Sequence, residues 1–218
     1  MPLTTENILN AIKQMREASP KRKFEQSVDL LITLEGIDPK KPEGRITEDV
    51  VLPHQTGGPR KILVFADREL ARRARDAGAD LVLGREDVEA LGREKKRAKK
   101  LAAEHDFFIA QADIMVLIGK TLGSVLGPRG RMPKPIPSTA DPAPIIERMK
   151  RTVRVTTKDQ AVFHAKIGVE NMSDEQLAAN ARAVLDAVER KIGEGVGSIG
   201  TIQIKTTMGK PVNLGALK

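Results

Sequence analysis

The stretch KILVFA at residues 61–66 is an almost continuous apolar run, typical of a strand buried on both faces of a parallel sheet. Two shorter runs follow it, LVL at 81–83 and FFIA at 107–110. Between and after these runs, the apolar spacing predicts helices at residues 69–77, 85 to about 104, and 113–122. The alternation of strands and helices predicts an α/β domain, Rossmann-like and three-layered.

The flanking segments follow another pattern. Ile8, Ile12 and Met15 fall on one face of a predicted N-terminal helix that Thr4 or Thr5 can cap. The other predicted elements are strands at 24–34, 45–52, 154–157, 161–168 and 202–206, and a helix from Ser173 with Gln176 at capping-box spacing. Neither flank alone buries a complete core. We therefore expect a discontinuous α+β domain, split β-α-β-like, at residues 1–57 plus 153–218, with the α/β domain inserted at 58–152 and the crossing strands acting as a hinge.

The composition excludes several kinds of site. The 218 residues include no Cys, no Trp, no Tyr and only three His, which removes disulfides, thiolate nucleophiles, zinc fingers and iron–sulfur clusters and leaves little material for a metal site. No cofactor is expected. The N-terminus lacks a leader pattern and no apolar run approaches a membrane span, so a cytoplasmic protein that binds no membrane is predicted.

The net charge of +8 favours an anionic partner, with RNA or DNA as the first candidate. Residues 58–152 carry 20 basic and 13 acidic side chains, whereas residues 1–57 carry 8 basic and 9 acidic ones. Much of the excess lies on the helix predicted to end near Glu104, where six cations follow Leu91 (Arg93, Lys95, Lys96, Arg97, Lys99 and Lys100). Such a surface fits a phosphate backbone, and a merely solvated face is about equally compatible with it.

No catalytic motif is convincing. GVGSIG at 195–200 has the spacing of a dinucleotide fingerprint, but it follows a helix and opens a strand, the reverse of the required order, so a glycine turn is the better interpretation. His54, His105 and His164 are scattered, and no nucleophile elbow accompanies them. We interpret His54 as structural and His105 as a helix cap. His164 is predicted to share an exposed strand face with Lys166.

Two segments are more suggestive. GPRGRMPKP at 127–135, inside a Gly- and Pro-dense loop that precedes a helix at 144–151, constrains the loop and carries Arg129, Arg131 and Lys134, which favours recognition or packing. TTMG at 206–209 ends the last predicted strand with hydroxyls, a flexible apolar side chain and a glycine. These groups suit a sugar–phosphate backbone, because hydroxyls bond the ribose 2′-OH and glycine permits close approach.

Five segments in order make the chain resemble the large-subunit ribosomal protein L-one family, over essentially its whole length. They are RKFEQSV at 22–28, VLPH at 51–54, DFFIA at 106–110, LGPRGRMPKP at 126–135 and TTMG at 206–209. The third and fourth resemble the archaeal branch. The resemblance implies the split two-domain architecture. It also implies a structural protein rather than an enzyme, which binds large-subunit ribosomal RNA at the mobile stalk on the tRNA exit side. It also implies assistance in releasing deacylated exit-site tRNA and repression of translation by binding the protein's own messenger RNA. Off the ribosome a monomer is expected.

The resemblance implies RNA contacts in the terminal domain. The matching positions are Lys23, Phe24, Gln26, Ser27, His164, Lys166, Gly168, Thr201, Thr207, Met208 and Gly209. Arg129, Arg131 and Lys134 would supply secondary contacts from the loop. Thr201 stands where relatives often have Ser, and the tail 213–218 departs from the family pattern and receives no function. Charge alone points instead to the inserted domain, which would supply longer-range attraction.

Two alternatives remain open. One is an α/β enzyme that uses the inserted domain and the 127–135 loop on an anionic substrate. The other is a protein that coats nucleic acid without specificity, for which the ratio of target to random RNA affinity would be near one.

Overall fold

The computed structural model describes residues 4–38, 46–58, 60–157, 160–192 and 198–216. The chain is a mixed α and β protein, as predicted, and divides into two compact units. The outer unit comprises Met1–Gly57 with Arg151–Lys218, and the inner unit comprises Gly58–Lys150. None of the helices in the described ranges has the length and apolar character needed to cross a membrane.

The helices and strands follow one another in chain order. They are α1 (Thr5–Ala18), β1 (Ser27–Glu35), β2 (Thr47–Val51), β3 (Ile62–Phe65), α2 (Arg68–Asp76), β4 (Leu81–Leu83), α3 (Arg85–Arg93), α4 (Lys95–Glu104), β5 (Phe107–Gln111), α5 (Ala112–Thr121), α6 (Gly123–Leu126), β6 (Lys134–Ile136), α7 (Pro142–Lys150), β7 (Thr152–Thr156), β8 (Val162–Val169), α8 (Asp174–Ile192), β9 (Ser198–Thr206) and β10 (Val212–Ala216).

The inner unit is built on a parallel sheet with strand order β4-β3-β5-β6. All four side chains of β3 are buried, because the sheet has an apolar cluster on each face. Leu63 and Phe65 pack with residues of α3 to α6, whereas Ile62 and Val64 pack with α2 and α7. A continuous apolar strand is therefore what this position requires.

Two predictions for the inner unit are wrong in detail. The single helix expected from residue 85 to 104 is two helices, interrupted at Glu94, whose φ of −100° and ψ of 68° are not helical. The break allows Ala98 and Ala102 of α4 to join the same apolar cluster as Val88 and Leu91 of α3. The Gly- and Pro-dense loop contains the short edge strand β6, where Pro135 is tolerated because an edge strand need not donate every hydrogen bond, and the four-residue helix α6 directly precedes the loop.

The outer unit is an antiparallel sheet with strand order β10-β9-β1-β8. Its apolar side chains alternate along β1 and pack against α1 and α8 on one face. The predicted capping box of α8 is confirmed by reciprocal bonds between Ser173 and Gln176, each 3.3 Å long.

The strand ends of the outer unit differ from the prediction. β1 begins at Ser27 rather than Phe24, and β9 begins at Ser198 rather than Ile202. β10 adds an edge strand in the tail, where none was predicted. Residues 195–197 of the predicted glycine turn lie outside the described residues, and residues 198–200 belong to β9.

The strands β2 and β7, which precede and follow the inner unit in the chain, pair with each other antiparallel. Arg154 reaches Asp49 across the pair with Nε to Oδ1 at 2.8 Å, and the hydroxyls of Thr47 and Thr156 are 2.9 Å apart. The hinge assigned to these strands stays a prediction.

Candidate nucleic-acid interface

One face of the outer sheet, here called the open face, carries exposed or half-buried and mostly polar side chains, opposite the face that α1 and α8 cover. Strand alternation places there, among other side chains, those of Ser27, Asp29, Leu31, Thr33, His164, Lys166, Thr201, Gln203, Lys205 and, one residue past β9, Thr207. Five of the predicted RNA contacts on strands or strand ends lie on this face. The predicted alternation in β8 is confirmed, since His164 is exposed while Phe163 and Ala165 are buried.

The hydroxyls of Ser27 and Thr207 meet at one end of the open face. β1 begins there and the antiparallel β9 ends there, so residues 180 positions apart in the chain become neighbours. Thr207 Oγ1 accepts from the Ser27 amide at 3.0 Å and lies 3.2 Å from Ser27 Oγ, and the Thr207 amide donates to the Ser27 carbonyl at 3.0 Å. The two predicted contacts therefore form one fixed hydroxyl pair.

Gln26 is buried, with 1% of its surface exposed, and its side chain joins the chain segments around that pair. Its Nε2 donates to the Pro20 carbonyl at 3.0 Å and to Glu170 at 3.2 Å, and its Oε1 accepts from the Met208 amide at 3.1 Å. A side chain that is fully engaged and buried positions other groups rather than contacting a ligand. The burial supports a positioning role for Gln26, and the direct RNA contact that the resemblance implies stays a prediction.

Gly168 and Gly209 are both positions of close approach. Gly168 lies at a β-bulge opposite Val28, and a Cβ there would overlap the side chains of Leu177 and Met172, which belong to α8 and the turn before it. Its place is thus under the helix, not on the open face. A Cβ on Gly209 would overlap Thr206 Oγ1, which lies 2.7 Å from Ser19 Oγ.

Phe24 and Met208 are large apolar side chains that remain 51% and 54% exposed. They lie on the two segments that Gln26 joins, and Lys23 beside Phe24 is exposed as well. Exposed aromatic and thioether groups beside paired hydroxyls are suited to packing on a ribose or an unstacked base.

Asp29 lies near the middle of the open face, directly across from Lys166 of β8 and Lys205 of β9. Burial raises the pKa of the Asp29 carboxyl above its ordinary value of 3.8, because it removes water from the carboxylate, although Lys166, Lys205 and His164 pull the pKa down. The face thus presents two ammonium groups around one half-buried carboxylate.

Thr201 lies on the open face but not with the hydroxyl pair. Thr201 and Thr207 are six positions apart in the chain, about 20 Å at the rise of an extended strand. The predicted RNA contacts therefore extend along the face instead of forming a single cluster.

Sequence reasoning missed several groups near this face. Lys205 and Gln203 alternate with buried residues along β9, and Gln203 donates to Asn213 of the tail at 2.9 Å. The alternating pattern of β9 was a signal that could have found them. A cavity of about 330 Å³ between the end of α1 and the start of β1 is lined in part by Arg16, Lys21 and Arg22, of which only Arg22 belongs to a segment singled out in the sequence.

The contacts of the loop cations in the inner unit bear on the prediction that the 127–135 loop serves recognition or packing. Arg131 donates to the carbonyls of Ala102 and His105 at the end of α4, and Arg129 donates to the Lys99 carbonyl at 2.8 Å. Lys134 is half-buried in β6. Two of the three cations thus hold the loop onto α4, which supports packing rather than recognition. The prediction that His105 caps α4 is confirmed by its Nδ1, 3.0 Å from the Leu101 carbonyl.

The inner unit also contains an open cavity of about 780 Å³ where β3, β4 and β5 end. Five acidic side chains and two arginines line it, and none of its lining residues belongs to the 127–135 loop. The alternative of an enzyme that acts on an anionic substrate would need the 127–135 loop to line this cavity, and it would need a cationic lining. The loop does not line the cavity, and the lining is mainly acidic. Within the described ranges, no three His, Asp or Glu side chains lie together as a metal site requires.

The open face is polar and carries cations, which suits it to a nucleic acid. The described residues therefore define the class of this protein as one with a sheet surface of the nucleic-acid-binding kind. The chain belongs to the Ribosomal protein L1p/L10e family, whose sequence profile matches residues 12–210. This membership confirms the resemblance. It also confirms that the chain is a cytoplasmic ribosomal structural protein and not an enzyme.

Archaeal proteins are similar to the chain over nearly their whole length. The large ribosomal subunit protein uL1 of Methanothermobacter thermautotrophicus is 46% identical over 209 residues, which cover 96% of this chain and 99% of the relative. That of Methanothermococcus thermolithotrophicus is 48% identical over 209 residues, 96% of this chain and 98% of the relative. That of Archaeoglobus fulgidus is 44% identical over 214 residues, 98% of this chain and 100% of the relative.

Proposed function

We propose that the chain is a structural component of the large ribosomal subunit that binds ribosomal RNA through the open face of its outer unit. The outer unit is the α+β RNA-binding domain, and the inner unit is the inserted Rossmann-like α/β domain. The finer functions implied by the resemblance belong to the same proposal. They are placement at the mobile stalk on the tRNA exit side, help in releasing deacylated tRNA, and repression through the protein's own messenger RNA.

The observation that carries the proposal is the hydroxyl pair of Ser27 and Thr207 with exposed Phe24 and Met208 beside it. RNA differs from DNA by the 2′-OH, which both donates and accepts hydrogen bonds, and single-stranded or bulged RNA exposes bases that pack on apolar side chains. The Gln26 network holds these groups in place before RNA arrives, which lowers the entropy cost of binding.

The inner unit contributes mainly charge. Lys95, Lys96, Lys99 and Lys100 of α4 are exposed, and the first two stand at the helix N-terminus, where the helix dipole disfavours cations. A phosphate backbone nearby relieves that repulsion and releases counterions. Specific recognition by the outer unit and long-range attraction by α4 are thus compatible.

A competition titration tests this division. A large-subunit ribosomal RNA fragment spanning the exit-side stalk is bound in the presence of unrelated structured RNA, at two salt concentrations. We expect Thr207→Val to weaken binding by about tenfold with little change in salt slope, because the substitution removes one hydrogen-bonding group and no charge. Replacing the four α4 lysines with Gln is expected to flatten the slope, by up to about 0.9 for each phosphate that the variant no longer neutralises.

Thr47→Val is the matched control, since Thr47 also forms an exposed cross-strand hydroxyl pair, with Thr156 of β7. It should leave RNA affinity unchanged. If the α4 variant abolishes specificity while Thr207→Val is neutral, the main site lies in the inner unit. Equal affinity of the wild type for both RNAs would favour nonspecific coating instead.

A further inference from the structure

Asp29 stands on the open face where a phosphate-binding surface would be expected to carry only neutral or cationic groups. Its cross-strand neighbours are Lys166 and Lys205, and His164 lies one alternation further along β8. A carboxylate repels RNA phosphates and weakens charge-driven binding. Its position between two lysines therefore needs a reason beyond attraction of the backbone.

The carboxylate of Asp29 has acceptor capacity to spare. Within the part of the chain that the structure describes, it accepts no hydrogen bond and forms no ion pair within 4 Å, although the two lysines act on it at longer range. An ionised carboxylate can accept several hydrogen bonds through its two oxygens. Asp29 is thus an outward-facing acceptor with fixed surroundings.

We propose that Asp29 is a specificity-determining residue that accepts hydrogen bonds from the Watson–Crick edge of an unpaired guanine in the bound RNA. This inference rests on the proposed function of the open face. Guanine presents two adjacent donors on that edge, N1–H and the N2 amino group, and they match the two oxygens of a carboxylate. Recognition of splayed-out bases on their Watson–Crick edges is the usual route to sequence specificity in RNA binding.

The flanking lysines complete the arrangement. Lys166 and Lys205 lie on either side of Asp29 in adjacent strands, so phosphates are attracted to the two sides while the carboxylate excludes them from the centre. The centre is left for a base with N–H donors. Discrimination then comes from repulsion of the wrong group as well as attraction of the right one.

The test compares Asp29→Asn with the wild type against the same ribosomal RNA fragment and the same unrelated competitor. Asn keeps the size of the side chain but replaces one acceptor with a donor and removes the charge. We expect affinity for the specific fragment to fall by roughly tenfold or more, while affinity for the unrelated RNA rises, because one repulsive charge is removed. Glu175→Gln is the matched control, because Glu175 is an exposed acid on α8, over the other face of the sheet. It should leave the affinities for the specific fragment and for the unrelated RNA unchanged.

Inosine substitution identifies the contacted base, because inosine lacks the N2 amino group. Inosine is placed at each unpaired guanine of the fragment in turn. At one of these positions, inosine should weaken binding by the wild type but cause no further loss in Asp29→Asn. The two substitutions would then be energetically coupled, as expected if Asp29 contacts that guanine. A matching scan with 2′-deoxynucleotides should show no such coupling.

The outcomes separate the inference from the function on which it rests. If the wild type binds both RNAs equally, the proposed function fails. If the wild type is specific but Asp29→Asn binds both RNAs more tightly, Asp29 acts only as a charge and the inference is overturned. Coupling to a 2′-deoxy position and to no guanine overturns it as well, in favour of a ribose contact.

Urea unfolding separates a lost RNA contact from a loss of folding in Asp29→Asn. Because burial raises the pKa of Asp29 in the folded chain, its ionised form weakens the fold at pH values above that raised pKa, and this cost disappears as the pH falls to 3.8 and below. Asp29→Asn should therefore unfold at an equal or higher urea concentration at pH 7, and the difference should shrink at acid pH.

Discussion

Gly168 shows how one missing side chain sets the distance between a strand and a helix. It sits in the bulge of β8 where the ladder to β1 shifts by one residue, and both Ile167 and Gly168 are buried there. The Leu177 side chain of α8 and the Met172 sulfur occupy the space that a Cβ would need. The resemblance marks Gly168 as an RNA contact, whereas the structure gives it a packing position.

Gly168→Ala is expected to destabilise the outer unit by about 1–3 kcal/mol, the usual cost of overpacking a core. Gly119→Ala is the matched control, because Gly119 is at an exposed position of α5 and its added Cβ would meet no atom within 4 Å beyond the adjoining helix backbone, and it should stabilise by up to about 1 kcal/mol. Urea denaturation of both variants measures this. An unchanged midpoint for Gly168→Ala together with weaker RNA binding would return the residue to the interface.

Individual residues also show what the sequence could predict of the site. The exposure of His164 follows from alternation, the Thr207 hydroxyl from the chemistry of the TTMG segment, and Ser27 from the resemblance. The burial of Gln26 was not predictable, because its partners Glu170 and Met208 lie 144 and 182 positions away in the chain. The orientation of Asp29 between two lysines likewise depends on strand pairing that no local pattern reports.

Helix α4 combines a destabilising charge pattern with an external cap. Its last carbonyls have no further turn to bond, and Arg131 of the following loop donates to those of Ala102 and His105. The loop is therefore an extension of the helix. A sequence pattern showed that the loop was constrained, but not what its cations would contact.

Arg131→Met is expected to cost about 1.5–3 kcal/mol of stability in the inner unit, since it removes charge-assisted bonds to two half-buried carbonyls. Arg129→Met should cost about 1 kcal/mol or less, because Arg129 is exposed and makes one bond to the Lys99 carbonyl. Urea unfolding compares the two. Equal stability of both variants, with reduced RNA affinity for Arg131→Met, would show that Arg131 serves recognition.

The elements that the sequence missed share a physical cause. β6 has three residues and β10 lies in the tail, and both are edge strands whose pairing with β5 and β9 defines them more than their own composition does. The helix break at Glu94 likewise depends on tertiary packing, because it allows the alanines of α4 to be buried in the apolar cluster. The apolar run of β3, by contrast, predicted a buried strand without reference to any partner.

The two units should respond differently to RNA. Ligand binding stabilises the cooperative unit that holds the site, so hydrogen exchange of buried β1 and β9 amides should slow in the presence of the ribosomal RNA fragment. Buried amides of β3 and β5 in the inner unit should exchange at nearly unchanged rates. Slowing in β3 and β5 with none in β1 would assign the specific site to the inner unit.

The pairing order of the outer sheet also has a consequence for synthesis. β1 forms its ladders with β8 and β9, which are translated more than a hundred residues later, whereas the inner unit is one continuous segment. At typical elongation rates of about 5–20 residues per second, β1 waits roughly ten to thirty seconds for its second partner. During that interval the inner unit can fold while the hydroxyl pair does not yet exist. A prematurely terminated chain that ends before β9 would therefore lack the recognition face, so only a finished polypeptide would compete for the RNA.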